Sequence, residues 1–297
     1  MRGLPIKVTA FALSMIAAAC AAPSDDVDTD DDNEINSAER HVLALGDSMT
    51  FAWDPLIEPD PSRVDPTRYR GYAELLGDRL GAKVDNAACP GETSSHFISA
   101  NGEDNNCAKN RASYKLHVDW GSASTQLDFV RAYLRRTKPE LITMTIGGND
   151  MIRVIENCKL PMVVKEVCIA ARMPFYERAY GENLKTILRG IHAEGYRGKM
   201  AFVATYAPDY SDALVTLAVR RFNDEIRESI DEVRDAIPGM DVRVADGYAA
   251  FEAVASKHGG KTCETGLVLK NEDGTCDIHP SKEGHALIAE AILDTIR

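Results

Sequence analysis

From His41 onward, short runs rich in β-branched and other apolar residues alternate with longer stretches whose apolar residues recur every three or four positions. No other feature constrains the fold as much, because strands separated by helices pair in parallel and the helices must cover the faces of the resulting sheet. The strand candidates are HVLAL at 41 to 45, AKVDN at 82 to 86, ELITMTI at 140 to 146, MAFVATY at 200 to 206 and DVRVAD at 241 to 246. Helical spacing joins Tyr72, Leu75, Leu76 and Leu80, and again Leu127, Val130, Tyr133 and Leu134; further helices are expected around 174 to 195, 213 to 236 and 281 to 297. The third strand is largely apolar, which predicts a central position buried on both faces. The expectation is one α/β domain over residues 41–297, a three-layer sandwich with a mainly parallel five-stranded sheet and no internal repeat. Segments 87 to 121, 147 to 172 and 258 to 280 fit neither period. In an open parallel sheet such loops gather at the carboxyl edge, where sites form.

The first 40 residues differ in kind. Arg2 and Lys7 precede an uncharged run from Val8 to Ala22, the pattern of a signal peptide, assigned to residues 1–20 and too short to span a bilayer comfortably. Ala17, Ala18 and Ala19 lead into Cys20, which resembles the lipobox of bacterial lipoproteins and makes Cys20 the lipidation candidate; Ala17 stands where Leu is commoner. The stretch SDDVDTDDDNE carries seven acids in eleven residues, so residues 21–40 are expected to form a disordered, self-repelling tether. These features predict export, as a cell-envelope lipoprotein or a secreted protein, with membrane attachment only through that N-terminal anchor. Residues 1–40 hold three basic and eight acidic side chains, leaving 31 basic and 38 acidic from residue 41 on, a net charge of −7. An acidic body without a basic stripe argues against a nucleic-acid partner.

Cys20 aside, six cysteines remain: Cys89, Cys107, Cys158, Cys168, Cys263 and Cys276. An even set in an exported chain predicts three disulfides. Neighbour pairing is favoured, Cys89 with Cys107, Cys158 with Cys168 and Cys263 with Cys276, since each pair would restrain one non-periodic segment. A zinc site has no CxxC or HxxxH spacing to support it, and no metal is expected.

LALGDSMT at 43 to 50 taken alone is a buried strand breaking into a turn, and Ser48 a turn or capping residue. Yet Gly91 follows the second strand and Asn149 the third, so three polar turn elements share one sheet edge. The blocks GDSM at 46 to 49, NAACPGETS at 86 to 94, IGGND at 146 to 150 and DIHPSKEGH at 277 to 285 resemble, in content and order, those of the SGNH hydrolases, the GDSL esterases and lipases. With TQLD at 125 to 128 and the six cysteines, the chain looks most like the disulfide-bearing secreted branch of that family. The resemblance covers residues 41–297 and implies a flavodoxin-like sheet and a serine ester hydrolase working through an acyl-enzyme, without cofactor.

The chemistry of the residues agrees. A serine hydroxyl becomes a nucleophile when a base takes its proton, and a histidine is suited to that task. Of seven histidines, His279 stands just before Pro280 at the entrance to the last helix, whereas His285 lies within it. The resemblance therefore makes Ser48 the nucleophile and His279 the base, with the Ser48 and Gly91 N–H groups and the Asn149 amide as the oxyanion hole. The family spacing Asp-x-x-His fails, because residue 276 is Cys and the acid, Asp277, stands only two before His279. Asp277 or a backbone carbonyl near Cys276 would orient the imidazole. Asp47 and Asp150 are expected to brace turns; as a carboxylate pair for glycoside hydrolysis they would leave His279 and Gly91 unexplained. No Walker A or GxGxxG pattern follows a strand. The implied substrates are esters of fatty acids, including lipids, or acylated carbohydrates as in an O-deacetylase, acted on by a monomer. The contrasting expectation is a catalytically silent surface binding protein that keeps the fold.

Overall fold

Five strands, β1 (His41–Gly46), β2 (Lys83–Asn86), β3 (Leu141–Thr145), β4 (Lys199–Val203) and β5 (Val242–Ala245), form one sheet in the computed structural model, which describes residues 39–57, 63–158 and 162–297. All pairings are parallel, in the order β2-β1-β3-β4-β5. This is the flavodoxin-like arrangement, and its chain reversal falls between β1 and β3. The expected signal peptide, the lipidation candidate Cys20 and all of the expected tether except Glu39 and Arg40 lie outside the described residues. Arg40 forms an ion pair with Glu140 at 2.8 Å, within the body that runs from Glu39 to Arg297.

The helices are α1 (Ser48–Phe51), α2 (Tyr72–Leu80), α3 (Ser94–Ile98), α4 (Cys107–Ser113), α5 (Gln126–Leu134), α6 (Gly148–Glu156), α7 (Met162–Ala193), α8 (Ala213–Ala236), α9 (Gly247–Ala255) and α10 (Lys282–Ile296). Alternation along the strands sorts them into two layers. Leu43 and Leu45 of β1, with Ile142, Met144 and Phe202, face the core built by α5, α7 and α8. Val42 and Ala44, with Leu141, Ala201 and Val203, face α2, α9 and α10. Both faces of β3 are buried, as expected, Thr143 and Thr145 included. Each fully buried Leu, Ile or Phe in these layers stabilises the fold by roughly 1.5–3 kcal/mol relative to exposure. Among the described residues no helix is long and apolar enough to cross a membrane.

The non-periodic segments hold more regular structure than periodicity revealed. Segment 147 to 172 contains α6 and the first part of α7, so α7 begins at Met162 rather than near 174 and carries Pro174 in its interior. Proline is tolerated best in a first helical turn, which made residue 174 look like a start. Exposed Val164, Val167 and Phe175 also blur the helix's apolar face. Segment 87 to 121 holds the short helices α3 and α4. Segment 258 to 280 holds a 3-10 turn (Thr262–Thr265) and an antiparallel hairpin of β6 (Val268–Lys270) and β7 (Cys276–Pro280). Elements of three to seven residues are too short to display a period.

Disulfides join Cys89 to Cys107, Cys158 to Cys168 and Cys263 to Cys276, with Cα separations of 5.6, 5.8 and 5.8 Å. These are the neighbour pairs, and each fastens one of the three irregular segments. Peptide mapping without reduction is expected to recover all three. Replacing Cys263 and Cys276 together by Ser should lower the unfolding free energy by about 3 kcal/mol, read by denaturant titration. A change below about 0.5 kcal/mol, the range of ordinary surface substitutions, would mean that other contacts hold the hairpin.

Candidate active site

The end of β1 is built so that Ser48 opens a helical turn at the carboxyl edge of the sheet. Gly46 has φ +117°, and a Cβ there would lie 1.7 Å from the Thr145 carbonyl oxygen, so only glycine lets β1 run this close to β3. Gln126 grips both sides of Gly46: its side-chain oxygen accepts from the Gly46 N–H at 2.6 Å and its amide donates to the Gly46 carbonyl at 3.0 Å. Asp47 then caps α1, accepting from the Met49 N–H at 3.0 Å and from the Thr145 hydroxyl at 2.9 Å. Ser48 occupies the first position of the turn, where a backbone N–H has no intrahelical partner.

His279 reaches Ser48 from the hairpin, with 2.9 Å between Nε2 and the Ser48 Oγ. On β7 residues 277 and 279 point to the same side, since strand side chains alternate. Asp277 Oδ1 accepts from His279 twice, from the backbone N–H at 2.8 Å and from Nδ1 at 2.5 Å. Burial would raise the Asp277 carboxyl, but the hydrogen bonds and charge of His279 outweigh it and hold the group below the usual carboxylate range. An ionised Asp277 accepts only, so the ring proton sits on Nδ1 and Nε2 is left to accept from the Ser48 hydroxyl. The two-residue spacing that departs from the family pattern is thus the spacing a strand requires. His285 lies elsewhere: it is buried, its Nδ1 accepts from the Tyr72 N–H at 3.3 Å, and burial pushes its ring down to about 3.

Gly91 and Asn149 meet on the neighbouring loops. Gly91 has φ +86°, and a Cβ there would lie 1.9 Å from the Asn105 carbonyl oxygen. Asn105 donates its backbone N–H to the Gly91 carbonyl at 3.2 Å and its side-chain amide to Asn149 Oδ1 at 2.7 Å. Asn149 Nδ2 in turn donates to the Glu92 carbonyl at 2.9 Å. That bond uses one of two amide protons, and Asn149, 7% exposed, keeps the second. Asp150 ties the same loops together, accepting from the Ser94 N–H at 3.0 Å and the Ser94 hydroxyl at 2.5 Å. Burial raises the Asp150 carboxyl, and it pushes that of Asp47 up to about 7. Neither touches Ser48 Oγ or the His279 ring through a hydrogen bond; both brace turns.

Four supporting residues escaped sequence reasoning. Gln126, the polar residue of TQLD, also donates to Glu92 Oε2 at 3.2 Å and so connects the end of β1 to the Gly91 loop. Glu92 is fully buried and pairs with His96 Nδ1 at 2.6 Å; burial raises Glu92, and its hydrogen bond raises His96. Ser94 forms the contact with Asp150. The available signal was a charged or amide residue inside an otherwise small-residue block, which specifies burial of a polar group but not its partner. Glu92, His96 and Cys107 form the one grouping of three or more among the described residues whose potential metal-binding atoms all lie within 4.8 Å of one another. The Cys107 sulfur is committed to Cys89, so it offers no thiolate, and Nδ1 of His96 is engaged by Glu92.

A serine hydroxyl, an imidazole and a carboxylate in hydrogen-bonded series form an arrangement that can perform acyl transfer. A sequence model described as the GDSL-like lipase/acylhydrolase family matches residues 44–287. No curated protein sequence matches. Among solved structures, the chain is similar to Axe2, an acetylxylan esterase from Geobacillus stearothermophilus, at 18% identity and TM-score 0.51, covering 86% of this chain and 93% of that one. It is similar also to the lipase Lip_vut3 from a goat rumen metagenome, at 17% identity and TM-score 0.49, covering 86% and 97%. At such identities the likeness is one of fold.

The buried Asp47 generates a pH prediction. A carboxyl whose folded pKa is raised contributes stability that is present below its unfolded value, near 3.9, and lost as pH rises through its folded value, here about 7. Wild type is therefore expected to lose stability relative to Asp47→Asn between about pH 4 and pH 8, by an amount on the order of 4 kcal/mol at 1.36 kcal/mol per pH unit. Denaturant titrations of both proteins across that range check it; parallel profiles would show that burial does not disfavour the Asp47 charge.

Proposed function

Because the chain belongs to the GDSL-like lipase/acylhydrolase family, matched over residues 44–287, we propose that it is a serine hydrolase of carboxylic esters that works through an acyl-enzyme on Ser48. The observation that carries this reading is the continuous relay from Ser48 Oγ to His279 Nε2 at 2.9 Å and from His279 Nδ1 to Asp277 at 2.5 Å. In this mechanism Ser48 Oγ attacks the ester carbonyl carbon while His279 Nε2 takes the hydroxyl proton. Asp277 holds the Nδ1 proton and stabilises the imidazolium. The carbonyl oxygen becomes an oxyanion that receives the Ser48 and Gly91 N–H groups and the free proton of the Asn149 amide. Collapse expels the alcohol, protonated by the imidazolium, and leaves the acyl group on Ser48. A water molecule, deprotonated by His279, then releases the acid by the same steps.

The reading extends to an exported protein, since three disulfides form readily only outside a reducing compartment. A lipid anchor at Cys20, the signal peptide before it and a monomeric state complete the proposal. For substrate, the disulfide-bearing pattern favours esters of fatty acids, and acetylated carbohydrate is the alternative acyl source. A purely binding role is disfavoured by the complete relay, which a binder has no need to maintain. Hydrolysis of p-nitrophenyl esters of increasing chain length beside acetylated xylan separates the three.

Ser48→Ala is expected to abolish hydrolysis without changing the unfolding midpoint by more than a minor amount, and a fluorophosphonate should label wild type at Ser48. Labelling elsewhere, or full turnover in the variant, would sink the nucleophile assignment. Asn149→Ala should lower kcat by about 10²- to 10³-fold with little change in KM. Asp277→Asn should cost orders of magnitude in kcat through the wrong histidine tautomer, whereas retention within about tenfold would assign the orienting role to a backbone carbonyl.

A further inference from the structure

Asp277 and His279 are two residues apart, so a single residue, Ile278, lies between them, and its carbonyl is held from outside the hairpin. Tyr206, on the loop after β4, donates its hydroxyl to the Ile278 carbonyl oxygen at 2.5 Å. The ring is 4% exposed and lies flat on Phe251 of α9, with centroids 4.1 Å apart and planes 9° from parallel. Phe251 is itself fully buried, so the phenol has a rigid seat. Burial raises the Tyr206 hydroxyl well above its ordinary value, which keeps the proton on the donor.

The Ile278 carbonyl belongs to the same planar peptide group as the His279 N–H, and in a trans peptide the two point in opposite directions. A donor on the carbonyl side therefore fixes the direction of the N–H on the other side. That N–H goes to Asp277 Oδ1 at 2.8 Å, the oxygen that also receives His279 Nδ1 at 2.5 Å. Accepting at the carbonyl also polarises the peptide and strengthens its N–H as a donor. We infer that Tyr206 is a positioning residue for the acid–base pair, acting through the Ile278–His279 peptide to hold the Asp277 carboxylate against the His279 ring. The inference rests on the assignment of His279 and Asp277 to catalysis. It assigns to the loop after β4 a role that no sequence motif marks.

The test is Tyr206→Phe, which keeps the stacked ring and deletes only the hydroxyl. The expected result is a fall in kcat of about ten- to a hundredfold with KM within about twofold, because a small displacement of the base acts on the chemical step rather than on binding. Proton NMR supplies the readout that a packing defect would not move: the downfield resonance of the proton between His279 Nδ1 and Asp277 should shift upfield or broaden in the variant. Phe251→Leu serves as the packing comparison, since it weakens the seat and leaves the hydroxyl; it should lower kcat less and leave the resonance present. Fluorophosphonate titration normalises every rate to competent Ser48. Turnover of Tyr206→Phe within about twofold of wild type together with an unmoved resonance would overturn the inference. Equal losses in both variants with the resonance unmoved would also overturn it, as a packing effect. Undiminished hydrolysis in His279→Ala would instead overturn the underlying assignment.

Discussion

At the carboxyl end of β1 a glycine lets the chain run against β3 where no side chain would fit, and the rest of the site is built outward from it. With no Cβ at Gly46, the chain turns directly against the Thr145 carbonyl, and the Asp47 N–H donates to that same oxygen at 3.1 Å. Gln126 saturates the Gly46 peptide groups from the opposite side. These bonds leave the chain one way to proceed, into the short turn that presents Ser48. A side chain at 46 would separate β1 from β3 where the two loops must converge, so the geometry of the edge depends on an atom that is missing.

Around that point the protein concentrates buried acids that a stability optimum would avoid. Asp47, Glu92 and Asp150 are each less than one-tenth exposed, and burial raises the carboxyl of all three. Each accepts at least two hydrogen bonds and so converts a desolvation cost into a fixed loop position. Asp47 joins the turn to β3, Asp150 joins the start of α3 to α6, and Glu92 joins α3 to Gln126. The site is thus rigid through polar connections between segments distant in sequence, over a sheet stabilised by apolar layers.

That division explains which parts were legible in the sequence. The strands were readable because each is a short apolar, β-rich run set between helical patterns, and α8 because its three- and four-residue spacing is sustained over 24 residues. Ser48, Gly91 and Asn149 stood out because each lies in the polar segment after a strand, and the order of the blocks pointed to the family. The cysteine pairs followed from local proximity. The start of α7, the β6–β7 hairpin and the Glu92–Gln126–Gly46 connection were not readable. Pro174 imitates a helix start, the hairpin strands are too short to show alternation, and the Gln126 to Gly46 bonds span 80 residues. The two-residue spacing between Asp277 and His279 departs from the family pattern, and its reason was hidden so long as β7 was taken for a loop.

With both residues on one strand, Asp277 and His279 obey a parity rule. Successive strand residues face opposite ways, so an insertion or deletion of one residue between them would turn one partner away from the other, while the hairpin tip at 271 to 275, outside that interval, is free of the restriction. Drift in length is therefore closed off at one position and open a few residues upstream. A relative spacing the same two groups by three would need a turn where this chain has a strand, and so a different local backbone to reach the same chemistry.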